Sequence, residues 1–298
     1  MIAVALASGA TDPAEGVTSP DATTSTTESR HEVKLSSLFV PNSPNSGLLL
    51  KGRINGGPPL RFLLDSGAQQ IVLDRRAAAR SGIAGGSDFD LVGVGTSAKA
   101  AHRTTVRTVT VGDLEFHGCG LIIAEDKLLE GIDGVVPLSL FSDFLLRLDI
   151  PRRTLELTPN PSIGQVGGTS TAPMSHSLLF LKAKVNDLQE GYVLLDTGAL
   201  YDALSERTAR ALGMPRMLGW AVPVLGGAGE VVGRVYSSAV HFRLGSSVLL
   251  ATQFVVVSLD ELEQRHQIKI AGILGFPSLR NSVLRIDYRK GLVSIANK

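Results

Sequence analysis

The amino-acid sequence predicts a mainly β protein made of two homologous β-rich lobes, related by a pseudo-two-fold axis and carrying a few short helices. Two observations lead to this fold class. The chain has 32 glycines among 298 residues, and its short runs of Val, Leu, Ile and Thr alternate with glycine-containing turns. The second half also repeats the motifs of the first half in the same order. This length allows two domains of ordinary size.

The repeat is clearest around two aspartates. Residues 63–68 read Leu-Leu-Asp-Ser-Gly-Ala, and residues 194–199 read Leu-Leu-Asp-Thr-Gly-Ala. In each copy two apolar residues precede an aspartate, and a small hydroxyl residue, a glycine and an alanine follow it. The two motifs therefore mark equivalent points of a duplicated fold.

The residues after each aspartate repeat as well. Each copy has a leucine, then a residue that favours the N-cap of a helix, then a short helix-forming run that ends at a glycine. These positions are Leu73, Asp74 and Gly82 in the first copy, and Leu204, Ser205 and Gly213 in the second. The pattern predicts one short helix at the same place in each lobe.

The match continues to the end of each half. Residues 134–152 correspond to residues 272–290, and the second copy carries about seven extra residues before this point. A glycine-rich segment in the middle of each copy precedes an alternating β stretch, at residues 106–111 and 235–244. A last helix is expected at residues 139–145 and again at 277–282.

These boundaries divide the chain into four parts. Residues 1–32 are expected to be a disordered leader or the remnant of a signal peptide, because residues 11–30 are rich in Thr, Ser, Asp, Glu, Gly and Pro. Residues 33–161 form the N-terminal lobe and residues 174–298 the C-terminal lobe. Residues 162–173 have the Gly, Ser and Thr content of a linker. In each lobe a β-hairpin leads into a buried strand that ends at the aspartate.

An aspartate delivered by an apolar strand into a glycine turn places a carboxylate at the end of a buried strand. The hydroxyl residue can hydrogen-bond within the turn or to the opposite turn, and glycine lets backbone N–H groups approach the carboxylate. One such turn is a weak signal, but two at equivalent points can face each other across the axis. The predicted site consists of Asp65, Ser66 and Gly67 from the first copy and Asp196, Thr197 and Gly198 from the second.

Two carboxyl groups about 3 Å apart cannot both ionise easily, so they share a proton and titrate as a coupled pair. The ionised group can act as general base on a water molecule, while the protonated group donates to a carbonyl oxygen. Acyl transfer to water then needs neither a metal nor a covalent intermediate. The pattern predicts hydrolysis, with Asp65 and Asp196 as the catalytic residues.

These motifs resemble those of the pepsin/retropepsin superfamily of aspartic peptidases. That family has two apolar residues before D-[ST]-G-[AST], and an apolar-apolar-Gly motif that completes a ψ-shaped loop beneath each aspartate. Residues 273–275, Ile-Leu-Gly, match the latter motif in the second half. The alanines Ala68 and Ala199 resemble the retropepsin branch, and the likeness is strongest to bacterial retropepsin-like proteins with two copies in one chain. It covers about residues 33–298.

The resemblance implies an aspartic endopeptidase that acts on a peptide or protein substrate, needs no cofactor and works as a monomer, because one chain carries both aspartates. It also implies glycine-tipped flaps over the cleft. The flap candidates are Gly93, Gly95, Thr96, Gly227 and Gly229. Since Ala68 and Ala199 supply no hydroxyl donor to the anion, we expect a weakly acidic pH optimum rather than a strongly acidic one.

One departure favours an alternative. The first half reads Val135-Val136-Pro137 where the family has apolar-apolar-Gly, and proline lacks an N–H. A catalytically weak or inactive peptide-binding protein of the same fold is therefore a second hypothesis. A nucleotide-binding enzyme is disfavoured because neither glycine-rich segment completes G-x-G-x-x-G before a long helix. A Ser-His-Asp hydrolase is disfavoured because the chain has no G-x-S-x-G motif.

Composition excludes further classes. Lys plus Arg total 29 and Asp plus Glu total 28, so the chain lacks the large positive charge that would indicate nucleic-acid binding. The six histidines show no metal-ligand spacing, and no metal site is expected. Cys119, the single cysteine, lies in an apolar run and is expected to be buried and inert. No segment approaches the ~20 apolar residues of a membrane span. The compartment stays open: periplasmic or secreted if the N-terminus is a truncated signal peptide, otherwise cytoplasmic.

Overall fold

The computed structural model shows a mainly β chain with two homologous lobes, as the sequence predicts. It describes residues 2–3, 8–9, 23–24, 29–39, 46–92, 99–125, 127–159, 170–171, 174–175, 177–215, 220–226 and 229–297. Three two-residue strands come first: β1 (Ile2–Ala3), β2 (Ser8–Gly9) and β3 (Thr23–Thr24).

The first lobe follows in the order that the duplication predicts. A hairpin leads into the strand that ends at Asp65, and a second strand, a short helix and a longer hairpin come next. Its elements are β4 (His31–Lys34), β5 (Ser36–Phe39), β6 (Ser46–Ile54), β7 (Leu60–Asp65), β8 (Ile71–Asp74), α1 (Arg75–Arg80), β9 (Ser87–Val92), β10 (Lys99–Val111), β11 (Leu114–Ala124), β12 (Gly134–Pro137), the 3₁₀ helix η1 (Leu138–Phe141), β13 (Phe144–Asp149) and β14 (Thr154–Pro159).

The second lobe repeats this order, adds one helix and divides each strand of the longer hairpin into two. Two short strands, β15 (Ser170–Thr171) and β16 (Met174–Ser175), precede it. Its elements are β17 (Leu178–Val185), β18 (Gln189–Leu195), β19 (Asp202–Ser205), α2 (Glu206–Ala211), β20 (Trp220–Gly226), β21 (Gly229–Tyr236), β22 (Val240–Leu244), β23 (Ser247–Ala251), β24 (Phe254–Val257), α3 (Asp260–His266), β25 (Ile270–Leu274), α4 (Phe276–Leu279), β26 (Ser282–Asp287) and β27 (Leu292–Asn297).

The strand order shows that the lobes are copies of one unit. In the first lobe the central order is β10-β11-β8-β12-β7-β6, and in the second it is β21-β24-β19-β25-β18-β17. In both, the strand before the last helix runs parallel to the aspartate strand and antiparallel to the strand after it. This arrangement holds each aspartate turn between two neighbouring strands.

A six-stranded sheet joins the two lobes. Its order is β15-β27-β26-β13-β14-β4, and the lobes meet where β13 pairs antiparallel with β26. Leu148 lies opposite Leu284 in this pairing, and neither side chain is exposed. One apolar cluster includes residues of both lobes, so the core is continuous across the junction.

The predicted helix starts and stops are confirmed. Asp74 is the N-cap of α1 and accepts from the backbone N–H of Ala77 at 2.6 Å. Ser205 is the N-cap of α2, and its hydroxyl accepts from the N–H of Thr208. The glycines after the two helices, Gly82 and Gly213, both have φ of +68°, the left-handed conformation that ends a helix.

Three expectations need correction. The last helices occupy residues 138–141 and 276–279 rather than 139–145 and 277–282, because the chain enters strands β13 and β26 directly after them. The β stretch expected at 235–244 is two strands, since residues 237–239 interrupt it between β21 and β22. Most of the extra length of the second half lies between β24 and β25, where α3 has no counterpart in the first lobe.

The predicted domain boundaries stay predictions. β1 pairs with β20, β2 with β9 and β3 with β11, so parts of the predicted leader lie along the lobes. Residues 170–171 of the predicted linker pair with β27. Among the residues that the structure describes, no helix has the length and apolar character needed to cross a membrane.

We expect the shared sheet to make both lobes unfold together. Leu148→Ala, in the first lobe, should lower the free energy of unfolding by about 2–5 kcal/mol because it leaves a cavity in the core. The only tryptophan, Trp220, is in the second lobe, so its fluorescence reports the other half of the molecule. The urea transition followed by Trp220 should shift together with the transition followed by circular dichroism.

The control is Leu250→Ala, since that leucine is 58% exposed and the change should stay within about 0.5 kcal/mol. A Trp220 transition that did not move in Leu148→Ala would show that the lobes unfold independently.

Candidate active site

The two motif aspartates meet at the junction of the lobes. Asp65 is the last residue of β7, and Asp196 directly follows β18. Both are completely buried, and their carboxyl groups are close enough to hydrogen-bond to each other. The duplicated fold therefore brings together two carboxyl groups that are 131 residues apart in sequence.

The hydroxyl residues after the aspartates connect the two turns reciprocally. The Ser66 hydroxyl donates to the carbonyl oxygen of Leu195 (2.8 Å) and accepts from the N–H of Thr197 (3.0 Å). The Thr197 hydroxyl donates to the carbonyl oxygen of Leu64 (2.9 Å) and accepts from the N–H of Ser66 (3.0 Å). Four buried hydrogen bonds thus fix one turn against the other.

The motif glycines allow this close approach. An ideal Cβ on Gly67 would lie 2.6 Å from the Cγ of Asp196, and one on Gly198 would lie 2.4 Å from the Cγ of Asp65. Neither separation is possible for real atoms, so each glycine makes room for the carboxyl group of the opposite lobe. Any side chain at these two positions would separate the aspartates.

Backbone N–H groups also hold one oxygen of each carboxyl group. Gly67 donates to Oδ1 of Asp65 at 2.6 Å, and Gly198 and Ala199 donate to Oδ1 of Asp196 at 2.9 and 2.8 Å. Within the described part of the chain, Oδ2 of either aspartate receives no such bond. The Oδ2 atoms therefore remain available for the proton that the pair shares.

Burial sets the charge of the pair. It raises the pKa of Asp65 well above its ordinary value, and the negative charge of Asp196 raises it further. Burial also raises the pKa of Asp196, to about 7, although hydrogen bonds from Asp65, Ala199 and Gly198 oppose this increase. The two carboxyl groups titrate as one coupled pair, and both pKa values are raised, so the pair retains at least one proton in weakly acidic solution.

The strands beneath the aspartates differ between the lobes. Pro137 lies in β12 opposite Asp65, in unbroken parallel register with β7, so the proline does not distort this strand pairing. In the second lobe the equivalent residue, Gly275, donates its N–H to Oδ1 of the buried Asp202 at 2.9 Å. The residue at this position therefore donates no hydrogen bond in the first lobe, whereas in the second lobe it donates one to a buried carboxyl group.

Sequence reasoning missed two buried polar residues near the pair. Asp202 follows Asp196 by six residues, at the position where the first copy has Ile71. The side chain of Tyr288 is buried, and the pKa of its hydroxyl is raised by burial and by the charge of nearby Asp65. A position-by-position comparison of the two copies would have revealed Asp202, because a charged residue replaces an apolar one there.

Most of the flap candidates cannot be placed. Gly93, Gly95, Thr96 and Gly227 lie outside the described residues, whereas Gly229 is the first residue of β21. The hairpin strands that lead toward these segments, β9–β10 and β20–β21, are present in both lobes. The role of these residues as flaps stays a prediction.

Other reactive groups in the described regions do not form a second site. Cys119 is buried as expected, and burial raises the pKa of its thiol to about 12, which makes it a poor nucleophile. No cluster of three or more metal-ligating side chains occurs in the parts of the chain that the structure describes.

Comparison with known proteins gives the same assignment for both halves. Residues 50–138 match the family described as "gag-polyprotein putative aspartyl protease", and residues 181–277 match the family described as "Aspartyl protease". No curated protein matches the chain.

Among solved structures, the fold is similar to an aspartic proteinase from Irpex lacteus. The TM-score is 0.57 at 15% sequence identity, and the match covers 91% of this chain and 98% of the fungal one. Two aspartyl protease domains follow each other in one chain, and the whole has the fold of a two-lobe aspartic proteinase. The chain therefore belongs to the pepsin/retropepsin superfamily of aspartyl proteases.

Proposed function

We propose that the protein is an aspartic endopeptidase in which Asp65 and Asp196 together activate water for peptide hydrolysis. The observation that supports this most strongly is the pair of buried carboxyl groups within hydrogen-bonding range of each other, at equivalent points of the two lobes. Burying two carboxyl groups together is costly unless they share a proton. Such an arrangement is typical of a functional site rather than of a packing site.

The shared proton divides the work between the two residues. The ionised carboxylate is the general base that takes a proton from the attacking water, and the protonated carboxyl group donates to the oxygen of the scissile carbonyl. The tetrahedral intermediate then collapses as a proton moves to the leaving nitrogen. No covalent intermediate forms, since both carboxylates act only on protons.

The substrate class follows from the site and the family. An extended peptide that crosses the junction between the lobes would reach both carboxyl groups, with the hairpins β9–β10 and β20–β21 beside it. One chain supplies both aspartates, so we propose that the monomer is active. The inactive peptide-binding alternative was motivated by Pro137, but the register of β12 beside β7 is regular, and this favours the catalytic proposal.

Replacing either aspartate tests the pair directly. Asp65→Asn and Asp196→Asn should each lower kcat for a cleavable peptide by at least about a thousandfold, because residues that act as one unit fail together. The measurement is cleavage of a peptide library followed by mass spectrometry, then kcat on the best substrate.

A matched control is Asp187→Asn, which removes an exposed carboxylate paired with Arg243 and His241. Its activity should equal that of the wild type. If Asp196→Asn kept near-full activity, a mechanism that uses both lobes would be wrong.

The pH dependence follows from the raised pKa values. Hydrolysis needs one protonated and one ionised carboxyl group, so kcat/KM should follow a bell-shaped profile bounded by the two apparent pKa values of the pair; because burial raises both pKa values, activity should be lost in strong acid. A profile that still increased into strong acid would contradict this assignment.

Stability should follow the same carboxyl groups. A carboxyl whose pKa is raised by folding stabilises the native state fully below its unfolded pKa, and this contribution is lost as the pH rises through the folded pKa. The pKa of both Asp196 and Asp202 is about 7 in the folded chain. We therefore expect Tm to fall as the pH rises from the ordinary aspartate pKa of 3.8 to about 7, and to fall less in Asp196→Asn. An identical decrease in that variant would argue against a buried, protonated pair.

The hydroxyl bonds between the turns should matter for both stability and turnover. Thr197→Val keeps the side-chain shape but leaves the N–H of Ser66 and the carbonyl of Leu64 without their partner, at a cost of about 1–3 kcal/mol each. The free energy of unfolding and kcat should both decrease.

Thr208→Val is the control, because it removes a buried hydroxyl that bonds to Ser205 at helix α2 instead. It should lower stability without changing kcat. Equal kcat in both variants would mean that the hydroxyl bonds do not align the carboxyl groups.

A further inference from the structure

The two lobes have chemically different residues at equivalent positions close to their aspartates. Pro137 and Gly275 are equivalent residues beneath the aspartates, and Ile71 and Asp202 are equivalent residues six positions after them. In the second lobe, Gly275 has an N–H and Asp202 accepts it at 2.9 Å. In the first lobe, proline has no N–H to donate and isoleucine has no acceptor to offer. Each pair is internally matched, because the donor and the acceptor are both present in the second lobe and both absent in the first.

Asp202 holds the start of helix α4. Its side chain is completely buried, and its Oδ1 accepts a hydrogen bond from the N–H of Gly275 at 2.9 Å. The N-cap residue of α4 is Gly275 itself, which has no side chain to satisfy the first N–H groups of the helix. Asp202 therefore supplies, from another strand, the acceptor that the helix lacks.

The same short segment supports Asp196 from both sides. The carbonyl of Leu274 accepts from the N–H of Asp196 at 3.0 Å, and the N–H of Phe276 donates to the carbonyl of Ala199 at 2.8 Å. Ala199 in turn donates its N–H to Oδ1 of Asp196. Gly275 is the residue between these two contacts. A displacement of Gly275 would accordingly move the turn that carries the Asp196 carboxyl group.

The space around Gly275 makes this support stiff. An ideal Cβ at this position would lie 2.4 Å from the carbonyl oxygen of Tyr201, so the two backbone segments are already in close contact. Asp202 directly follows Tyr201. Its carboxyl group accepts a hydrogen bond from the N–H of Gly275, so the same two backbone segments are also joined through a side chain. The geometry leaves little freedom for the loop as long as that bond is made.

We propose that Asp202 is a positioning residue for Asp196: its buried carboxyl group holds Gly275, and the segment 274–276 around that glycine aligns the second-lobe aspartate. The role rests on the proposed peptidase function and extends it to a residue that contacts neither the substrate nor the water. Because the first lobe uses Ile71 and Pro137, only the second lobe has an ionisable group in this position. The two aspartates are therefore supported differently although their turns are equivalent.

The surroundings of Asp202 determine the pH at which its carboxyl group ionises. The positive charge of Arg280 lowers the pKa of Asp202 slightly. Burial has the larger, opposite effect, and the resulting pKa is about 7. In weak acid the group is protonated, and Oδ1 can still accept from Gly275. Above neutral pH, a buried negative charge would destabilise the same loop.

The test compares three variants at a temperature where all are folded. Asp202→Ala removes the acceptor, Asp202→Asn keeps an acceptor oxygen but cannot ionise, and Asp74→Ala removes a buried carboxyl that caps helix α1 of the first lobe. We expect Asp202→Ala to lower kcat at least tenfold with little change in KM, and Asp202→Asn to recover most of the loss. Asp74→Ala should lower Tm without this effect on kcat.

Hydrogen exchange provides a readout that does not depend on turnover. The amides of residues 196–202 and 272–279 should exchange faster in Asp202→Ala than in Asp202→Asn, and should be unaffected in Asp74→Ala. Failure of the wild type to cleave any peptide would refute the proposed function. Unchanged exchange in these two segments, or a kcat in Asp202→Ala equal to that of Asp74→Ala, would refute the role of Asp202.

Discussion

The structure depends on the contact between two turns, at residues 65–67 and 196–198. Four hydrogen bonds cross between them through the hydroxyl groups of Ser66 and Thr197, and two glycines give each carboxyl group room beside the other turn. Bringing two carboxyl groups into a buried space is unfavourable by itself. The surrounding β lobes, the shared sheet and the backbone N–H donors compensate for it and fix the geometry. The cost of burial is also what gives the pair its chemical use, because it keeps one proton on the two groups in weak acid.

Local signals in the sequence were sufficient to predict much of this. The turns around the aspartates, the N-caps Asp74 and Ser205 and the glycine stops after both helices depend on residues close in sequence, and the duplication doubled each signal. The pairing of β13 with β26 could not be predicted, because it depends on how the finished lobes meet. The last helices were predicted too long, since the strands that follow them compete for the same residues. Asp202 was missed because its importance lies in a partner 73 residues away.

Differences between the lobes are as informative as their similarity. The proline in the first lobe seemed to argue against activity when it was compared with a family pattern alone. In the structure this proline keeps β12 in regular register beside β7, whereas the glycine of the second lobe is matched by a buried carboxyl group. A duplicated fold can therefore keep the geometry of its two turns while the supporting residues diverge. The condition is that every buried hydrogen-bond donor keeps an acceptor, and that the acceptor is also replaced where the donor is lost.

The central claim, that Asp65 and Asp196 behave as one titrating unit, is tested most directly by carbon-13 NMR of the aspartate carboxyl groups across the pH range. The wild type should show two titration steps that are each visible at both residues, with one step displaced to near or above pH 7. In Asp65→Asn, Asp196 should titrate in a single step. Two independent steps near the ordinary aspartate pKa, each confined to one residue, would contradict the account.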